Sequence, residues 1–226
     1  MPDALRDDVY RRPLATALER LGVGPGWRCV DVGAGGGDVS VSLATMVGHS
    51  GRVYAVDSDP RARDVAAAAA AEHSQVLAIT QAGEDLLLPE PVDLAFCRFL
   101  LLHVVDPAVV LARMAGAVRP GGWVVAQEPV TSAGRVAGTA LSMPDARHPD
   151  IGAWLPALVR QVGLELVDAW AEAPAGCGPG AVAEYLASLT GVDPKDDPVV
   201  LPPLVTVLGR LPDQGVAGRS SVAARD

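Results

Sequence analysis

Cysteine is scarce: three in 226 residues, odd in number and far apart, which excludes a disulfide framework. Cys29 and Cys97 fall in apolar runs that read as buried strands, where cysteine behaves as a small hydrophobe. That usage predicts a reducing compartment, the cytoplasm. Positive charge is also short, with 18 Lys and Arg against 27 Asp and Glu for a net charge of −9. Sequence-independent binding to a phosphate backbone draws on clustered cations, so no nucleic-acid partner is expected. The close basic groups, Arg11-Arg12 and Arg61 to Arg63, read as solvated helix ends. No stretch reaches the roughly 18 apolar residues that span a bilayer. Met1 to Asp8 has neither the basic start nor the apolar core of a secretory signal, and no membrane partner is expected. Aromatics make up 4% of the chain, which leaves Trp154, Trp170 and Tyr185 as candidate pocket-lining rings, with Trp123 assigned to a strand.

What is present is a chain half hydrophobic by composition, long enough to bury one α/β core without metals or cross-links. The most informative run is Cys29-Val30-Asp31-Val32-Gly33-Ala34-Gly35-Gly36-Gly37-Asp38, an apolar strand that breaks into glycines. Glycines at 33, 35 and 37 let the chain bend sharply and let backbone amides approach a ligand closely. A dinucleotide-binding G-x-G-x-x-G starting at Gly33 needs a small residue where Asp38 stands, so a nicotinamide oxidoreductase is disfavoured. Twenty residues on, Gly51-Arg52-Val53-Tyr54-Ala55-Val56-Asp57 reads as a second strand ending in a carboxylate, followed by Ser58-Asp59-Pro60. An acid at that place is positioned to accept hydrogen bonds from ribose hydroxyls.

The pattern resembles the class I S-adenosylmethionine-dependent methyltransferases, closely over residues 14 to 128 and loosely through Gly163 to Val167. Gln81-Ala82-Gly83-Glu84-Asp85-Leu86 stands where that family touches the adenine, and Pro91 to Arg98 matches its fourth strand. Leu102-His103-Val104-Val105-Asp106-Pro107 and Arg119-Pro120-Gly121-Gly122-Trp123-Val124-Val125 match the following helix and the entry to strand five. The resemblance implies a Rossmann-like, doubly wound α/β fold: a mostly parallel seven-stranded sheet with an antiparallel last strand and helices on both faces. It implies S-adenosylmethionine as cofactor; separately, no metal is expected. Asp31, Gly33, Ala34, Gly35 and Gly37 would then hold the methionine portion, Asp57 and Ser58 the ribose, Gly83 and Glu84 the adenine edge, and Arg98 would lie near the reactive methyl. His103 and Glu128 are the candidate proton acceptors, against the simpler readings of a histidine without catalytic duty and a buried capping acid. Asp145, His148 and Asp150 read as a solvated loop, not a metal site.

Strands are expected at 28–32, 52–56, 76–80, 92–97, 123–127, 164–169 and 204–208, with helices at 8–21, 38–47, 60–73, 107–117, 151–162 and 181–189. One domain over 1–211 is expected, with residues 1–27 as an N-terminal helix and cap, 130–149 and 174–203 as further cap segments, and 212–226 as a flexible tail. The functional expectation is methyl transfer from S-adenosylmethionine to O, N or C of a small-molecule acceptor in secondary metabolism. The alternatives are non-methylating chemistry on the same cofactor, such as cyclisation or decarboxylation, and a non-catalytic ligand-binding subunit. Short caps imply either an open acceptor pocket or one completed by a second subunit in a homodimer.

Overall fold

The computed structural model describes residues 2–141 and 146–213; Asp145 and residues 214–226, most of the expected tail, lie outside the described residues. Five strands alternate with helices through the first half: β1 (Arg28–Val32), α3 (Asp38–Val47), β2 (Arg52–Asp57), α4 (Pro60–Ala69), β3 (Val76–Thr80), β4 (Val92–Arg98), α5 (Pro107–Ala117) and β5 (Val118–Pro129). Later come α6 (Leu155–Gln161), β8 (Glu165–Glu172), α7 (Ala181–Thr190) and β11 (Leu204–Arg210). The sheet order is β3-β2-β1-β4-β5-β11-β8, with β11 antiparallel to both of its neighbours, as the sequence predicts for the last strand.

Strand side chains alternate between two buried faces, which is why the strands read as unbroken apolar runs. Cys29, Val53, Leu94 and Phe96 meet Leu14, Leu18, Val39 and Leu43 on one face. Val30, Val56, Ala95 and Cys97 meet Val110, Leu111, Met114, Leu155 and Val159 on the other. Among the described residues no helix is long and apolar enough to cross a membrane.

Several boundaries differ from expectation: the helix expected at 151–162 is a 3₁₀ helix, Ile151–Trp154, followed by α6 from Leu155, and β8 runs three residues past its expected end, to Glu172. The leading helix is two helices, α1 (Pro2–Val9) and α2 (Arg11–Leu21), broken at Tyr10 (φ −101°, ψ 17°). Pro13 cannot bond back to the carbonyl of Val9, and the break turns Tyr10 inward, where its hydroxyl donates to Pro202 O at 2.9 Å. Helix α4 stops at Ala69, four residues early. Strand β5 begins at Val118, taking in the Pro-Gly-Gly run through a register shift opposite Val92 and Leu94.

The expected cap segments come together in a second sheet, of order β7-β6-β10-β9: β6 (Arg135–Val136), β7 (Thr139–Ala140), β9 (Ala175–Cys177) and β10 (Pro198–Val200). Tyr10, Tyr185, Leu186, Val199, Leu201 and Leu204 form its buried cluster.

Candidate functional site

Strand order reverses between β1 and β4, and the crevice beyond their carboxyl ends is where open α/β sheets bind ligands. The glycine run lies there. Gly33 has φ +77°, and a Cβ on it would lie 2.9 Å from Leu100 Cδ1; at Gly37, φ +83°, a Cβ would meet Ala66 Cα at 3.0 Å. Conformation and space both require glycine at these two positions. The amides of Gly33 and Ala34 donate to Val56 O, folding the turn against β2.

Asp57, at the tip of β2, is tied to that turn. Its Oδ2 accepts from the Gly35 amide at 3.0 Å and its Oδ1 from the Asp59 amide at 2.9 Å. A carboxylate offers about four lone-pair sites, so capacity remains for two further donors. Ser58 is exposed beside it, and Asp59 caps α4 by accepting from the Arg61 amide.

Asp31 lies beneath the turn, 1% exposed, with its Oδ2 accepting from Ser40 Oγ at 2.6 Å. Burial pushes its carboxyl up to about 7, against the opposing pull of the Ser40 hydrogen bond and with a further push from Asp38. Arg98, whose side chain is 2% exposed, ends β4 and pairs with two carboxylates through one nitrogen, Nη2: Asp38 of α3, and Asp7 of α1 at 3.0 Å. Its Nη1 donates to Tyr10 O at 3.4 Å. Gly83 opens a short 3₁₀ turn and packs so closely that a Cβ there would come 3.2 Å from Val110 Cγ1 and 3.3 Å from Val32 Cγ1. Glu84 follows it, its carbonyl held by Arg113 Nε at 2.9 Å.

The turn after β4 is organised by Glu128. Its Oε1 accepts from the amides of Leu100 and Leu101 at 2.8 and 2.7 Å, and its Oε2 from Leu102 at 3.4 Å. Burial pushes its carboxyl up to about 7 in spite of those three bonds. The same turn holds Phe99 at φ +52°, a conformation costly for a bulky residue, with the Arg6 guanidinium 5.3 Å from its ring centre. His103 is exposed at the far end of the turn, and burial and then Arg6 set its pKa below the usual imidazole value.

The site residues named from sequence lie at the carboxyl ends of β1, β2, β4 and β5 or in the turns beyond β1 to β4; Asp31 and Glu128 are buried beneath those turns, while Ser58 and His103 are exposed. Two residues that contact them were not singled out as site residues: Asp7 and Ser40. Ser40 carried a signal, sitting one turn into the helix that starts after the glycines; Asp7 carried none. Of the candidate rings only Tyr185 reaches the cap cluster. Trp170 lies under the Arg20 guanidinium on the α2 face, and Trp154, 65% exposed, lines a separate cavity of about 580 Å³ beside α5 and α6.

Residues 30–126 match the family model described as a methyltransferase domain. Over that stretch, a little under half of its length, the chain is similar to a methyltransferase domain. The ubiquinone biosynthesis O-methyltransferase of Xylella fastidiosa (strain 9a5c) is 41% identical over 100 residues, which are 43% of this chain and 39% of that protein. The chain thus spans about two-fifths of the length of that curated relative. Across the whole methyltransferase fold, a solved S-adenosylmethionine-dependent methyltransferase from Aquifex aeolicus superposes with a TM-score of 0.64 at 17% identity, covering 93% of this chain and 98% of that one. A structure described as the [4+2]-cyclase SpnF gives 0.65 at 19% identity, covering 89% and 81%.

Proposed function

We propose that the chain is an S-adenosylmethionine-dependent enzyme that methylates a small-molecule acceptor. The observation that carries this reading is the carboxylate of Asp57, bonded to the Gly35 amide and retaining acceptor capacity at the tip of β2. The residues present fit the cofactor: two glycines that no side chain could replace, a ribose-type acid, and a buried arginine among carboxylates for an amino-acid end. Bound there, S-adenosylmethionine supplies an electrophilic methyl group on a sulfonium. This chain's own residues orient and enclose: Asp57 takes ribose hydroxyls, the main chain at Gly83 and the Glu84 side chain meet the adenine edge, and Asp31 and Arg98 lie at the methionine end. Positioning of two reactants can supply about 7–11 kcal/mol of barrier reduction, so a strong base is not required for an acidic acceptor.

His103, held neutral by its lowered pKa, is the group able to accept an acceptor's proton. Glu128 acts by positioning, since its oxygens are turned onto main-chain amides. Oxygen is favoured as the methylated atom because the curated relatives are named O-methyltransferases. Their names put those proteins in ubiquinone biosynthesis, which lends no support to the expectation of secondary metabolism. The acceptor is read as small and apolar or aromatic, in a pocket open or closed by a second subunit.

Calorimetric titration with S-adenosylmethionine, S-adenosylhomocysteine and NAD tests the cofactor assignment. Binding of the first two and none of NAD is expected, and Asp57→Ala should weaken both by about tenfold or more, the worth of one hydrogen bond to a charged acceptor. Unchanged affinity in that variant overturns the ribose role. Turnover with accumulation of S-adenosylhomocysteine separates methylation from non-methylating use of the sulfonium.

A further inference from the structure

The methionine end of the crevice is roofed by a residue from outside the matched domain. Helix α1 lays Asp7 over the glycine run: a Cβ on Gly36 would lie 3.9 Å from Asp7 Oδ2. The other oxygen of the same carboxylate pairs with the buried Arg98 at 3.0 Å and with Arg6 at 3.1 Å. Asp38, the first residue after the glycines in α3, shares Arg98, and Asp31 lies in the same field, its acidity altered by both. Three carboxylates therefore crowd one buried cation, with Arg6 above.

Asp31 is poorly placed as the direct partner of a ligand cation. It is 1% exposed and one oxygen is committed to Ser40. Asp7 is partly exposed, its side chain at 19%, and its Oδ2 lies beside Gly36. Its carboxyl is also raised above the usual range, by burial and then by Asp38, against the opposing pull of Arg6 and Arg98.

We propose, resting on the S-adenosylmethionine reading above, that Asp7 of α1 is a cofactor-binding residue: it receives the ammonium of the cofactor's amino-acid end, while Arg98 takes the carboxylate. The Asp7–Arg98 pair occupies in this structure the place of that zwitterion and opens to admit it, each partner exchanging a protein counter-charge for a ligand one. The consequence reaches the acceptor side. Tyr10 follows α1 directly and meets Phe99 and Tyr185 edge to face, at 5.1 and 6.0 Å, so the helix that carries Asp7 is joined to the cap cluster.

The test compares S-adenosylmethionine, S-adenosylhomocysteine and 5′-methylthioadenosine, which keeps the nucleoside and sulfur but lacks the amino-acid end, in calorimetric titrations of the full chain. Asp7→Asn is expected to weaken the first two by about tenfold or more and to leave 5′-methylthioadenosine unchanged, since a charge-assisted hydrogen bond is lost only with ligands that carry the ammonium. Asp7→Glu retains the charge and should recover part of the loss, which separates recognition from a folding defect. Equal weakening of all three ligands by Asp7→Asn, or none of any, overturns the assignment while leaving the cofactor reading intact. Failure of the unaltered chain to bind S-adenosylmethionine or S-adenosylhomocysteine overturns both.

Discussion

Glu128 and Phe99 illustrate how a single side chain sets the crevice. Three consecutive amides, of Leu100, Leu101 and Leu102, would face an apolar interior unpaired if the carboxylate were absent, and Phe99 would lose the scaffold that keeps it at φ +52°. Replacing Glu128 with alanine should therefore cost on the order of 2–4 kcal/mol, from stranded donors and from the cavity left behind. Glu128→Gln keeps an acceptor for Leu100 and Leu101 and should cost less. Urea unfolding midpoints of the two variants check this, and equal losses would mean that volume, and not the amide bonds, is what the site needs. The sequence offered a base or a buried cap for this residue; the geometry is that of the cap, because the amides that converge on it belong to a turn whose path no local spacing specifies.

At the scale of elements, the legible part of the fold is the part whose signals are local. Strands β1 to β4 read correctly to within a residue because burial on both faces makes each an apolar run punctuated by glycine or proline, and the glycine turn and Asp57 share one βαβ unit. The cap sheet was illegible for the opposite reason. Its strands are two or three residues long, and β6 finds β10 only through tertiary folding, Val136 pairing with Val199. Asp7 was hidden in the same way, since its partner Arg98 lies 91 positions away. A different long-range contact fixes how the short 3₁₀ helix Ile151–Trp154 seats on β5: a Cβ at Gly152 would collide with the carbonyl oxygen of Glu128 and reach 2.9 Å from that of Pro129. Main chain cannot yield as a side-chain tip can, so Gly152→Ala should destabilise by roughly 1–3 kcal/mol through displaced packing. Hydrogen exchange should locate the loosening at the end of β5 and in Ile151–Trp154; protection unchanged there would show that the two segments part without cost.

For the molecule as a whole, two fully buried acids make stability fall as pH rises. Asp31 and Glu128 are each pushed up to about 7 in the folded chain from ordinary carboxyl values of 3.8 and 4.5. Between those limits the folded state holds protons that the unfolded state has released, so the slope of unfolding free energy with pH is negative across that window. Below about pH 4 both states are protonated and the effect is absent; above about pH 7 it is fully developed, on the order of 2–4 kcal/mol for each group. Calorimetric melting temperatures should drop from pH 5 to pH 8, and the drop should shrink in Glu128→Gln, which has no proton to lose. A flat profile would mean that water reaches these carboxylates and restores their ordinary acidity. The same argument couples the site to its ligand: a cation seated near Asp31 favours the charged carboxylate, so near pH 7 cofactor binding should release a fraction of a proton. That release is read as a dependence of binding heat on the ionisation enthalpy of the buffer, and Asp31→Asn should abolish it if Asp31 is its source.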